Sequence, residues 1–110
     1  MKTATLAIAL ALACLPPLVS AQTAAATPAP DPHLARNLAA TCANCHGTNG
    51  QARGDMRPLA GLPADRIIAT MADYKRGTLP ATIMHQVAKG YTDEQIRLVA
   101  GYFATQPSGR

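Results

Sequence analysis

Apolar residues recur at helical spacing in four stretches of the chain, and Gly or Pro separates one stretch from the next. Asp31-Pro32 places a capping side chain and a first-turn proline ahead of Leu34 and Leu38, which lie four apart on one face. This predicts a first helix that ends near Cys42 and Cys45. Pro63 opens a second, with Asp65 in its first turn, Ile67, Met71 and Tyr74 at core spacing, Lys75-Arg76 in the last turn and Gly77 as the stop. Pro80 opens a third, shorter one through Ile83, Met84 and Val87 to Gly90. Thr92-Asp93-Glu94-Gln95 reads as a capping box for a last helix, whose Ile96, Val99 and Phe103 share one side before Pro107 ends it. No stretch alternates as a half-buried strand would, so the predicted fold is all-α, with long loops over 47–62.

The N-terminal segment has a different pattern. Met1-Lys2 gives a basic start, Leu6 to Leu15 form an apolar run, and Val19-Ser20-Ala21 matches the small-x-small cleavage rule of an export signal. The run is too short to span a bilayer, which disfavours a retained anchor. Acylation at Cys14 is disfavoured by the short run ahead of it and by Ala11, where lipoprotein signals carry Leu. The expected organisation is a signal peptide over 1–21, an Ala/Pro-rich flexible leader over 22–32 and one domain over 33–110, exported to the periplasm and without a membrane span after cleavage.

Composition changes the picture of the core. The chain is 48% hydrophobic, but Ala supplies 23 of its 110 residues, and beyond residue 21 only nineteen large apolar side chains remain among 89 residues. A domain this small, with so few core-forming groups, needs a disulfide, metal or cofactor to fold.

Cys42-Ala43-Asn44-Cys45-His46 is the C-x-x-C-H pattern of covalent haem c attachment. Two thiols three residues apart reach the two vinyl groups of one porphyrin, while the next imidazole addresses the iron. A zinc site would need a second ligand pair that the sequence does not offer at the usual spacing. A redox dithiol follows a strand in a βαβ unit, whereas this motif follows a helix. A disulfide across two residues would close almost no loop. Haem therefore serves as the staple the composition calls for. His46 is the proximal ligand by position, and its second ring nitrogen needs an acceptor. Pro58 offers a carbonyl for that role; the other reading is that it shapes the Arg57-Pro58-Leu59 turn.

For the sixth ligand the candidates are Met56, Met71, Met84, His33 and His85. Met71 shares a core face with Ile67 and Tyr74, Met56 is only ten residues beyond His46, and His33 is a first-turn surface residue. Met84 follows the Gly77-Thr78-Leu79-Pro80 bend, far enough along for the chain to wrap a ring, and a His/Met pair raises the potential as electron carriers require. Met84 is favoured, with His85 as the alternative.

With these residues in place, the chain resembles a class I c-type cytochrome: C-x-x-C-H then Gly47, the Leu59-Ala60-Gly61 loop, a Met-bearing segment and a capped last helix. More narrowly, Tyr74-Lys75-Arg76-Gly77, Pro80-Ala81-Thr82-Ile83-Met84 and the run from Ala88 to Ile96 are similar to the cytochrome subunit of flavocytochrome c sulfide dehydrogenase. The resemblance covers residues 33–105. It implies the class I fold of small helices wrapped around one haem, thioether links at Cys42 and Cys45, and iron ligation by His46 and Met84. It also implies a crossing of the first and last helices near Gly101-Tyr102. The charged stretch Asp55-Met56-Arg57-Pro58 departs from the pattern. Functionally, the resemblance implies an electron-transfer protein rather than an enzyme, taking electrons from a flavoprotein that oxidises sulfide or another reduced sulfur compound. A free diffusible shuttle is the alternative partner reading. A haem enzyme or gas sensor with an open iron is the third, and cytochromes c′ are excluded because their haem motif lies near the C-terminus.

Charge adds little. Beyond residue 21 there are nine basic and six acidic residues, and two haem propionates bring the balance from +3 to about +1. That balance, without an aromatic-basic patch, excludes nucleic acid. Arg53, Arg57, Lys75, Arg76 and Lys89 are candidates to ring a haem edge, although Lys75-Arg76 also reads as a solvated helix face.

Overall fold

The computed structural model describes residues 31–109, so the signal peptide and nearly all of the leader lie outside the described residues. Five α-helices follow in order: α1 (Leu34–Ala39), α2 (Ala43–His46), α3 (Ala64–Arg76), α4 (Met84–Lys89) and α5 (Asp93–Ala104). Short 3₁₀ turns at Ala40–Cys42 and Thr48–Gly50 flank α2. Among the described residues there is no strand, and no helix is long and apolar enough to cross a membrane.

Helices α1, α3 and α5 enclose the core, formed by Ala39, Ile67, Val99, Ala100 and Phe103. Phe103, 1% exposed, is the largest fully buried side chain. On α1 the fully buried residue is Ala39; of the leucine pair expected to face the core, Leu38 is half-buried and packs against it, while Leu34 is exposed. The reason is the crossing of α1 with α5. Ala39 and Ala100, 2% and 0% exposed, let the two helices approach closely where a leucine would hold them apart. Gly101 is not at that contact, because a Cβ built there would meet nothing within 4 Å. Tyr102 is near it, half-buried and packed against the core cluster.

Helix α3 has the ends the sequence predicts. Pro63 sits at its N-cap, and Gly77 closes it through a Schellman pair, Gly77 N–H to the Tyr74 carbonyl and Thr78 N–H to the Asp73 carbonyl, both at 3.1 Å. Met71 packs on the core cluster, as its spacing with Ile67 requires. Helix α4 begins four residues later than Pro80 suggests. The segment 80–83 stays non-helical, Ile83 serves as N-cap at φ −135°, and the first α4 bond runs from the Val87 N–H to the Ile83 carbonyl at 3.1 Å. Two adjacent β-branched residues, Thr82 and Ile83, oppose an earlier start.

The capping box of α5 is fully formed: Gln95 N–H donates to Thr92 Oγ1 at 3.1 Å, and Thr92 N–H donates to Gln95 Oε1 at 2.9 Å. Thr92→Ala removes the side-chain acceptor and is expected to cost about 1 kcal/mol, read as a lower denaturant midpoint with an unchanged slope. The Lys75 ammonium meets the Asp93 carboxylate at 2.8 Å and joins the end of α3 to the start of α5. That hydrogen bond, with the Coulomb attraction behind it, holds the Asp93 carboxyl below the usual carboxylate range. A lowered folded value means that the stabilisation is present above the ordinary carboxylate range and fades as pH falls through the folded value. Lys75→Met should move the Asp93 titration up, seen by NMR, and flatten the acid limb of the stability curve.

Candidate functional site

The cysteine-bearing segment is one nearly continuous helical run from α1 through the first 3₁₀ turn into α2. Cys42 ends that turn and is half-buried, while Cys45 lies in α2 and is exposed. Three residues apart in helical backbone, the two side chains project from one side of the run. Burial pushes the Cys42 thiol up from its ordinary value. Both cysteines are free thiols.

His46 closes α2, and Gly47 at φ +77° turns the chain away; a Cβ there would lie 2.1 Å from the Gln51 carbonyl oxygen. The loop 51–58 then returns to the site. Its neck is Gly50, whose carbonyl accepts from Leu59 N–H at 2.8 Å and Ala60 N–H at 3.1 Å. At its end the Arg57 carbonyl accepts from His46 Nδ1 at 2.7 Å. A carbonyl can only accept, so Nδ1 carries the proton, and in the neutral ring Nε2 keeps its lone pair.

The acceptor is thus Arg57, not Pro58. The proline still matters: it confines the residue before it to extended backbone, which aims the carbonyl of the Arg57–Pro58 bond. Nothing in the sequence marks this oxygen except the proline beside it.

Gly50 carries the loop neck at φ +77°, and a Cβ there would approach Ala60 N at 2.7 Å, Phe103 Cδ1 at 2.8 Å and Leu59 Cβ at 3.0 Å. Gly50→Ala forces backbone and a core ring to move, and is expected to cost about 3 kcal/mol, measured as the shift in chemical denaturation of the haem-loaded protein.

Met84 is the first residue of α4, half-buried, with half-buried His85 next to it. Helix α4 packs on α3, and α2 packs on its flanking 3₁₀ turns; α2 and α4 are not among the closely packed pairs. Met56 is exposed, and so is His33. Large apolar side chains stay exposed in the segment leading to Met84, with Ile83 at 60% and Leu79 at 36%. Lys75 and Arg76 are engaged by Asp93 and Asp73, which favours the solvated-face reading of that pair. No cluster of three or more His, Cys, Asp or Glu among the described residues is placed to hold a metal ion.

The donor set fits a covalently held haem: two thiols on one side of a helical run, followed at once by an imidazole whose Nδ1 is bonded to a main-chain oxygen. The family model described as Cytochrome c matches residues 33–107, nearly all of the described chain. The chain belongs to the cytochrome c family. Members of that family transfer electrons and carry covalently bound haem c, and Cys42 and Cys45 have the spacing of its attachment motif.

Within the family, the chain is similar to the cytochrome subunit of sulfide dehydrogenase of Chlorobaculum tepidum, 39% identical over 66 residues that make up 60% of each chain. Cytochrome c-553 of Desulfomicrobium norvegicum is 35% identical over 74 residues, 64% of this chain and 92% of that one. Among solved structures, the cytochrome c4 of Acidithiobacillus ferrooxidans matches with a TM-score of 0.56 and 38% identity, over 58% of this chain and 37% of that one. The match thus spans less than two thirds of the Chlorobaculum protein and of cytochrome c4.

Proposed function

We propose that this chain is an exported, periplasmic single-haem cytochrome that accepts electrons from a flavoprotein oxidising sulfide or another reduced sulfur compound. Residues 1–21 serve as signal peptide, 22–32 as leader and 33–110 as the haem domain. Cys42 and Cys45 would hold the haem through thioether links, and His46 and Met84 would ligate its iron. The observation that carries the site is the His46 Nδ1 bond to the Arg57 carbonyl, which fixes the tautomer with Nε2 available.

Bound haem c supplies reversible one-electron chemistry between two oxidation states of its iron. The protein's part is to hold and tune that group. The carbonyl contact raises the basicity of His46 and stops the ring from turning. Met84, a soft and neutral donor, favours the reduced state and sets a high potential. Leu79 and Ile83 bring apolar surface to the segment that carries Met84. With Lys75 and Arg76 engaged by acids, Arg53, Arg57 and Lys89 are left to steer an acidic partner.

The flavoprotein partner is supported by the similarity to a sulfide dehydrogenase subunit. A free shuttle is the second reading, supported by the similarity to cytochrome c-553, 92% of which the match covers. Native purification separates them. Co-elution with a flavin-bearing chain from the periplasmic fraction is expected; a monomer without flavin absorbance contradicts the first reading and leaves the second.

A further inference from the structure

The connection between α4 and α5 carries a residue with no part in the site so far. Tyr91 Oη pairs with Thr41 Oγ1 and donates to the Leu38 carbonyl at 3.4 Å, while Thr41 Oγ1 reaches the same carbonyl at 3.3 Å. Two hydroxyl protons serve these three contacts, so two are hydrogen bonds at a time, and the available pairings include ones that tie Tyr91 to Thr41 or to Leu38. Its ring is partly buried and packs on the core cluster together with Leu38 and Cys42. On the other side, its N–H donates to the Ala88 carbonyl at 3.3 Å, at the end of the helix that Met84 begins. Among the described residues, the Tyr91 hydroxyl makes the only side-chain hydrogen bonds between segment 78–92 and the cysteine-bearing segment 33–62.

We propose that Tyr91 is a positioning residue for the iron site: its hydroxyl, held by Thr41 and Leu38, keeps the Met84-bearing segment in register with the turn that carries Cys42. The inference rests on Met84 as axial ligand. Removing the hydroxyl leaves the ligand in place but makes it easier to lift, so a competing ligand gains by the amount the tie contributes.

Imidazole is the probe, titrated into the oxidised, haem-loaded protein at neutral pH and followed by loss of the sulfur-to-iron charge-transfer band. Tyr91→Phe keeps the ring, and Thr41→Val keeps the shape. Tyr91→Phe is expected to bind imidazole roughly threefold to tenfold more tightly than wild type, the range set by one net hydrogen bond, with the spectrum before titration unchanged; Thr41→Val, which leaves the Tyr91 hydroxyl free to donate to the Leu38 carbonyl, should gain less. The double variant should gain no more than Tyr91→Phe alone, and Thr41→Ser should bind imidazole as wild type does. Tyr102→Phe is the matched control. It removes the other long-range hydroxyl tie, Tyr102 Oη to Asn49 Oδ1 at 2.7 Å, which does not involve segment 78–92, and should leave imidazole affinity unchanged. Wild-type affinity in Tyr91→Phe, or an equal gain in Tyr102→Phe, overturns the inference while Met84 stands. Absence of the charge-transfer band from the wild-type protein overturns Met84 ligation and this inference with it.

Discussion

Cys42→Ala/Cys45→Ala, exported in a host that matures c-type cytochromes, should yield protein with no covalent haem and no cooperative unfolding transition. The size of the effect follows from the core. The buried apolar residues are Ala39, Ala60, Ile67, Ala88, Ile96, Val99, Ala100 and Phe103, half of them alanines. Alanine side chains bury little area, so the remaining four carry most of the hydrophobic stabilisation, at about 1.5–3 kcal/mol each. Backbone ordering costs on the order of 1–2 kcal/mol per residue, which such a core does not offset alone. The single variants should differ in degree. Cys45 is exposed and Cys42 is half-buried beside the core, so Cys42→Ala also disturbs packing and should give the lower yield. Haem staining of a denaturing gel and a far-ultraviolet thermal scan read both effects. Stained double variant would contradict the assignment of the links.

Met84→Ala has the second large effect. Loss of the thioether should abolish the sulfur-to-iron charge-transfer band and lower the reduction potential by a considerable fraction of the roughly 0.8 V over which axial ligands set haem potentials. Met84→His, which substitutes a stronger donor to the oxidised iron, should lower the potential while keeping six ligands. His85→Ala should leave both band and potential as they are. Spectroelectrochemical titration measures all three, and a lost band in His85→Ala would transfer the ligand role to its neighbour.

Features confined to a few neighbouring residues were legible in the sequence. The α5 capping box, the Gly77 stop and the spacing of Cys42, Cys45 and His46 each depend on groups within about one helical turn, where residue type and offset determine the interaction. Met71 was legible for the same reason, since its contact follows from the face it shares with Ile67.

What depended on distant parts of the chain was not legible. Leu34 and Leu38 form an apolar pair, but which α1 residue is buried depends on where α5 crosses it, and the crossing selects Ala39. Gly101 invited a close-approach explanation that Ala100, one position earlier, fulfils instead. Pro80 is a good first-turn residue in isolation, yet α4 waits until Met84. The acceptor for His46 is a main-chain oxygen, and a carbonyl belongs to every residue, so the sequence indicated the loop but not the atom. The Tyr91–Thr41 tie joins residues fifty apart and has no local signature at all.

The claim that unites the site is an iron closed on both faces, by His46 and by Met84, which makes the protein a carrier of electrons rather than a binder of small ligands. Carbon monoxide tests it most directly. Added to the reduced wild-type protein at neutral pH, it should leave the visible spectrum unchanged over minutes, because a firm thioether denies it the sixth position; rapid formation of a carbonyl spectrum would contradict Met84 ligation and place the protein among those with an open iron.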